Sequence, residues 1–518
     1  MKRNKASFLA ALAAVLALTS CSGLPQGAGG GGGGGSTTAK VSLVLVSDTL
    51  PANIGIISFK VAISSVVLTS STGTTSTLDL GGDNNGKGLI VDLARAQSDS
   101  IYLGTISGVP TGTNSSITVS FTSAELAFYN GTGAAITSLT PQCPASDVCV
   151  ASFNTTGTPV ITASQTISAN TGFGIDFNLA NAVTLSGTTL SVNLTNPGGN
   201  SNVISSFALP RNTSLAAGQL DLIEDFTGVA TVSGTSVTIA SPAAAGRGSI
   251  TAASTANTVY DQDPSETLCP GGTIQLSSCV SSNQIASMDA ILNSDGTFTV
   301  QEIEPLLATP VVDAVEGTVV SNANNGTQFS IIVSDIFPAA SNSKIGTLNI
   351  GDPLTVNLGI AIQGGYLVDT KGLAVGGALS DFQGGTDAGV VHLGQTVAVH
   401  VNLFTAADGA TAAIANNVDT VTLRWSRFIA TVNNAASPEF NISTLPGYFG
   451  FTQGSTFDVE TYVGTQGTDG ITNLDMSSAS PSTANLTPNS PVAVRALFLE
   501  NNTNSEDPPF YAAKVRQQ

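Results

Sequence analysis

The chain is poor in the residues most often used for chemistry. Its 518 residues include two histidines, one tryptophan and five cysteines, and only 10% are charged, against about 25% in an average soluble protein. The histidines, His392 and His400, are eight apart on one alternating strand. They share a face but lie about 26 Å apart at 3.3 Å per residue, too far to ligate one metal, so both are expected to face solvent. There is no G-x-S-x-G elbow and no H-E-x-x-H pair, so the marked hydrolase and zinc-protease arrangements are excluded. Aromatic residues are only 6%. Trp425 is the single tryptophan, and the densest cluster, Tyr448-Phe449-Gly450-Phe451, is expected in a barrel core rather than on a sugar-stacking surface.

Carboxylates are the commoner charged groups, and three close pairs occur: Glu224-Asp225, Asp261/Asp263 and Glu302/Glu304. Pairs two apart on a strand project to one face, as paired glycosidase acids might. However, Glu302 and Glu304 fall in the closing strand of a repeat, where solvent exposure is the default. No catalytic residue is assigned. Asp83-Asn84-Asn85-Gly86, Asp261-Gln262-Asp263 and Asp295-Gly296 are oxygen-rich, but none completes a calcium loop. Asn-Gly and Asp-Gly read first as hairpin turns. No metal and no cofactor are expected.

Bases are scarcer still, 16 against 35 acids for a net charge of −19. Lys2, Arg3 and Lys5 lie in the leader, so the rest of the chain has 13 basic residues and a balance of −22. Such a polyanion repels phosphate backbones, so nucleic acid is not an expected partner. The charge serves solubility, with cation uptake at scattered carboxylates as the alternative.

What the chain does have is 42% hydrophobic residues and 55 glycines. Hydrophobicity at this level excludes disorder, which needs low hydrophobicity with high charge. Short Val, Ile and Thr runs between turns, with few Lys and Glu, predict many β-strands. After the leader no 18-residue apolar run occurs, so no transmembrane helix is expected.

The leader has a basic start, an apolar stretch from Phe8 to Leu18, and a cysteine after small residues. That stretch is shorter than the roughly 20 residues needed to span a bilayer, so it reads as an export signal over residues 1–20. Leu18-Thr19-Ser20-Cys21 resembles the bacterial lipobox. The resemblance implies cleavage before Cys21, lipidation of Cys21 with diacylglycerol and acyl (palmitate-type) chains, and hence the lipid bilayer as a partner. Ser22 in place of an aspartate resembles the outer-membrane sorting signal. The expected address is a lipid-anchored position in the cell envelope, at the outer membrane. Residues 21–39 carry seven consecutive glycines and form a tether reaching about 20–25 Å. A formal G-x-G-x-x-G match at Gly27–Gly32 lacks the strand before it and the helix after it.

With Cys21 lipidated, the other cysteines form two local pairs, Cys143 with Cys149 and Cys269 with Cys279. Export permits disulfides, and each short loop would stabilise by roughly 2–3 kcal/mol on the chain-entropy model. Zinc ligation is the rival, but the C-x5-C spacing lacks two further ligands.

Residues 40–200 begin with the strand Val41–Val46, broken by Ser47-Asp48-Thr49-Leu50-Pro51. Val91-Asp92-Leu93, a Val109-Pro110…Gly112 turn and Asp176-Phe177-Asn178-Leu179 follow. This order resembles the bacterial lipoprotein domain of unknown function 4382, although Thr49-Leu50 interrupt its usual opening. The resemblance implies a β-sandwich and no established activity. A linker over 201–224 is expected next.

Beyond it, phrases recur. Phe226–Val232, Val315–Val320 and Arg427–Val432 open modules; Asp295–Glu304 and Pro509–Arg516 close them. Asn283–Leu292, Ile350–Leu358, Leu393–Val401 and Asn489–Leu497 share an alternating strand after a turn. Three modules are expected, at 225–310, at 311–425 with an insertion near 364–386, and at 426–518. They resemble the small β-barrels of domain of unknown function 5666. The expected whole is an all-β lipoprotein built as a stalk of small domains, with a non-enzymatic structural or binding role towards an envelope polymer or protein. A carbohydrate- or cation-binding surface protein is the alternative, and an enzyme of unrecognised type comes third.

Overall fold

The structure is a computed structural model. It describes residues 38–48, 51, 54–82, 88–162, 165–208, 222–241, 248–260, 276–306, 312–322, 327–337, 343–359, 365–376, 379–408, 411–452, 454–464, 470–476, 478, 480–499 and 509–518. The expectations for Cys21, the glycine run, Asp83–Gly86, Asp261, Asp263 and Cys269 lie outside the described residues. The described chain is all-β, as its composition predicts, with a few short helical turns.

The N-terminal domain has thirteen strands, eleven in the two sheets of a sandwich and two, β11 and β12, in a hairpin of their own: β1 (Thr38–Asp48), β2 (Ile54–Ser70), β3 (Thr75–Asp79), β4 (Leu89–Asp92), β5 (Ile101–Pro110), β6 (Gly112–Asn130), β7 (Val148–Phe153), β8 (Val160–Ile161), β9 (Gln165–Ile167), β10 (Thr171–Asn178), β11 (Val183–Ser186), β12 (Thr189–Val192) and β13 (Ile204–Ala208). One sheet runs β13-β10-β1-β5, with β1 parallel to β10; the other is built on β3-β2-β6-β7. Alternation along the strands buries one row of each sheet. Phe177 of the first sheet meets Phe59 and Phe121 of the second edge to face, at 6.2 and 5.7 Å. β13 pairs with β10, so the sandwich extends into the stretch expected to be linker: Ile204 is apolar and completes the sheet face. Cys143 and Cys149, the latter on β7, form the expected disulfide.

Three barrels follow. Barrel 1 contains β14 (Leu222–Ser233), β15 (Ser236–Ala240), β16 (Ser249–Ala253), β17 (Val259–Tyr260), β18 (Ile285–Leu292) and β19 (Phe298–Leu306). Barrel 2 contains β20 (Ala314–Asn322), β21 (Gln328–Phe337), β22 (Pro353–Leu358), β23 (Gly365–Val368), β24 (Thr396–His400), β25 (Leu403–Thr405), β26 (Ala413–Val418) and β27 (Thr420–Arg424). Barrel 3 contains β28 (Ser426–Asn434), β29 (Glu439–Ser443), β30 (Thr456–Thr461), β31 (Asn473–Asp475), β32 (Pro491–Phe498) and β33 (Phe510–Gln517).

Each barrel joins its strands in the order first, second, third, fifth, fourth, and the third and fifth run parallel: β16 with β19, β22 with β26, β30 with β33. In barrel 2 the fifth strand is bent at Asp419, so that β26 pairs with β22 and β27 with β24. This is the five-stranded Greek-key barrel of the OB type, an architecture that does not by itself define a function. The segment read as an insertion holds β23, which pairs parallel with β27. β17 and β31 pair the same way with β19 and β33, so β23 belongs to the repeat, and the helix Leu379–Gln383 is the local addition.

The first strands explain the recurring glycine. A Cβ on Gly228 would lie 2.1 Å from the carbonyl oxygen of Ala240, and one on Gly317 2.4 Å from that of Ile332. Both contacts are with backbone of the second strand, which can move only by disturbing its own pairing. Gly228→Ala and Gly317→Ala are each expected to cost about 1–3 kcal/mol, read from the urea midpoint. Gly346→Ala, where a Cβ meets nothing within 4 Å, should be near neutral.

The units are not strung out as a stalk. Tyr102 of the sandwich packs edge-on against Phe298 of barrel 1 at 4.8 Å. Ser42 donates to the Gly296 carbonyl of barrel 1, and Tyr129 packs against the aromatic core of barrel 3. The reason lies in the charged residues, which the sandwich and all three barrels bring to one place.

Candidate functional site: a buried charge junction

The junction starts from alternation. Val315 and Val319 on β20, and Phe428, Ala430 and Val432 on β28, fill barrel cores. Glu316 and Arg427 therefore point out of their barrels. In a lone barrel they would meet water; here they meet the next domain. Arg427, Arg495 and Lys514 are successive cross-strand neighbours on β28, β32 and β33, and Arg516 is two residues on. Like charges placed side by side repel, so barrel 3 needs an anionic partner. Barrel 1 provides it, with Asp289 opposite Glu302 and with Glu304 on the same sheet. Barrel 2 carries both signs: Glu316, Asp335, Asp369, Lys371 and Arg424.

Glu224 and Asp225 reach the junction through a bulge. The pairing of β14 with β18 slips between Ile223 and Phe226, and Asp225 takes φ of 50°. A bulge lets consecutive side chains escape strict alternation, and both carboxylates lie within 3 Å of the Arg495 guanidinium. The Asp225 amide donates to Asp289 Oδ1 at 2.7 Å, which satisfies the kinked backbone.

The sandwich contributes a single turn. Asp92 accepts hydrogen bonds from the amides of Phe59 and Ala94, both at 2.9 Å, and so fixes the chain entering the 3-10 turn Arg95–Gln97. Arg95 pairs with Asp99 and Asp335, both at 3.3 Å, and donates to the carbonyls of Glu224 and Asp225. Arg516 Nη1 donates to the carbonyls of Ala96, Gln97 and Asp99, while its Nε holds Asp475 at 2.6 Å.

Asp225 is the hub, 2.7 Å from Lys371, 2.7 Å from Arg427 and 2.5 Å from Arg495. Lys371 also reaches Asp289 at 3.1 Å, Arg427 reaches Asp99 at 2.9 Å, and Arg424 joins Glu316 and Asp369. The Arg495 guanidinium sits 5.6 Å above the Trp425 ring, a cation–π contact. None of the junction's seven cations, these six and Lys514, is more than 10% exposed. They are seven of the 13 bases that follow residue 20, so a chain short of cations places over half of them here.

Burial alone would raise the Asp99 and Asp225 carboxyls, but surrounding cations overcome it. Arg427, Arg495 and Arg95 hold Asp99, and Arg495, Lys371 and Arg427 hold Asp225, well below the usual carboxylate range. Burial would lower Lys371, but Asp225 and Asp289 keep it firmly protonated. Chemically the arrangement is ion pairing between domains, with carboxylates in the majority. Among the described residues no cluster of His, Cys, Asp or Glu has the geometry to hold a metal ion.

Several sequence expectations change here. Glu302 and Glu304 do not face solvent; they are 8% and 3% exposed, because the outer face of β19 is covered at the junction. His400 is partly buried, with Nδ1 3.6 Å from Asp419. His392 lies before β24, in a turn where Gln395 N donates to its carbonyl. Asp295-Gly296 is the hairpin turn between β18 and β19, with the Thr297 amide on Asp295. Trp425 is core, as are Tyr448 and Phe449. Cys279 is disulfide-bonded, with its partner outside the described residues. No family model matches the chain, and no curated protein shows significant similarity to it.

Proposed function

We propose that the chain is a lipid-anchored envelope lipoprotein whose folded part serves a non-enzymatic, structural or binding role as one cohesive body. The observation that carries the structural half is the junction. Its charged groups come from all four domains and pair with one another across them, which supports cohesion rather than turnover. The lipobox-like Leu18-Thr19-Ser20-Cys21 and the glycine run support the anchored half, with an outer-membrane address. The resemblance to the two lipoprotein domain families is part of the same reading.

Cys21→Ala is the test. The variant is expected to leave the membrane fraction and lose palmitate labelling, since acyl chains provide the anchor. Unchanged membrane retention would defeat the reading.

A cation-binding role has one observation of its own in favour. With seven bases committed to the junction, six remain for the rest of the mature chain against 27 acids outside the junction's ion pairs. Calorimetric titration of the soluble part with calcium would test it.

A further inference from the structure

Glu224 and Lys514 face each other in the junction, across the contact between barrels 1 and 3. Each is 1% exposed, and Lys514 Nζ stands 3.8 Å from Glu224 Oε1, beyond hydrogen-bond reach. The amine makes no hydrogen bond to any described residue. Every other buried lysine or arginine of the junction has a carboxylate oxygen within 3.3 Å. Glu224 shares its closer cation, Arg495 at 2.8 Å, with Asp225.

The charged groups around the pair come from every element packed on it. Glu224 faces Arg495 on β32 and Lys514 on β33, with Asp225 beside it on β14, Asp289 on β18, and Arg95 and Asp99 from the sandwich turn. Lys514 faces Glu224, Arg516, Asp99 and Asp475, with Arg495 as its cross-strand neighbour. Both groups thus have charges of their own sign close by, and neither is fully compensated.

We propose that Glu224 and Lys514 form a proton-binding joint between barrels 1 and 3, which takes up and releases one proton while the domains stay together. Burial, with Asp99 and Asp289 adding to it, pushes the Glu224 carboxyl up to about 7 against the opposing pull of Arg495 and Lys514. Burial, with Arg516 adding to it, brings Lys514 down.

The signs separate the two groups. A raised carboxyl binds more protons folded than unfolded between its ordinary value and about 7, so stability grows as pH falls through that window. The lowered amine binds fewer protons when folded, so stability grows as pH rises towards the ordinary lysine value. Two further carboxylates of the junction, Asp99 and Asp225, are lowered by their surrounding cations and act only at acid pH.

The test compares the full chain with Glu224→Gln and Lys514→Met in urea unfolding across pH. In the wild type the Glu224 contribution is a folding constant about a hundredfold larger at pH 4.5 than at pH 7. Glu224→Gln should lose that slope, and Lys514→Met should move it to higher pH. A wild-type slope retained in Glu224→Gln overturns the proposal. If neither variant folds, infrared spectroscopy of the wild type with 13C-labelled glutamate decides. A protonated glutamate band lost as pH rises through neutrality is expected, and its absence overturns the joint.

Discussion

Arg495→Ala is expected to destabilise the chain by about 3–5 kcal/mol, with a large fall in the urea midpoint. The size follows from what is left behind. Arg495 is 1% exposed and holds Glu224 at 2.8 Å and Asp225 at 2.5 Å. Removing one partner of a buried pair leaves an uncompensated charge in a poorly solvated place, which is far costlier than the net value of the pair. Asp225 keeps Lys371 and Arg427, so the stranded group is Glu224, whose remaining cation is Lys514 at 3.8 Å. The double variant Glu224→Gln/Arg495→Met should therefore be more stable than Arg495→Met alone. Strict additivity of the two changes would show that the groups do not interact. Salt separates this from surface electrostatics: between exposed charges attraction is largely screened beyond a Debye length of about 10 Å at 0.1 M salt, whereas buried pairs are screened much less. The Arg495 effect should persist at high salt.

Much of the fold was legible before the structure. The phrases Phe226–Val232, Val315–Val320 and Arg427–Val432 all fall on first strands, and Asp295–Glu304 and Pro509–Arg516 on fifth strands. They were legible because a barrel core imposes a local period of two, which each strand shows without its partners. The phrase at Ile350–Leu358 fell on a third strand, whereas its relatives fell on fourth strands. Alternation identifies a strand but not its place in the sheet.

The junction was not legible, for a physical reason. A polar residue on the outer face of a strand reads the same whether water or another domain covers it. Glu302 and Glu304 were expected in solvent on that ground. The ion pairs also span the chain, Arg427 with Asp99 and Arg495 with Glu224, so no local window contains both partners. One signal was available. Related strands carry opposite charges: acids at Glu224, Asp225, Asp289, Glu302 and Glu304 in barrel 1, bases at Arg427, Arg495, Lys514 and Arg516 in barrel 3. In a chain with 13 bases after residue 20, four on one face of one repeat call for a partner of the other sign.

Phe449→Ala is expected to cost about 3–5 kcal/mol, the usual range for emptying a buried phenylalanine site. Two readings of the Tyr448–Phe451 cluster predict different outcomes. A sugar-stacking platform needs exposed ring faces, so truncation would remove ligand binding and leave stability nearly unchanged. In the structure Phe449 is 4% exposed, with ring centres of Phe428, Tyr448, Phe498 and Phe510 between 5.1 and 6.0 Å away. Barrel 2 holds it from the other side: Gly394 takes φ of 84°, and a Cβ there would lie 2.2 Å from Phe449 Cδ1. The ring thus fills space that barrels 2 and 3 share, and neighbours on rigid strands cannot easily collapse into it. Gly394→Ala should destabilise through the same contact, by forcing the ring from its site and by straining a left-handed backbone. If the two substitutions act only through that contact, combining them should cost less than the sum of their separate effects. A stable Phe449→Ala chain would instead place the cluster on the surface and revive the carbohydrate reading.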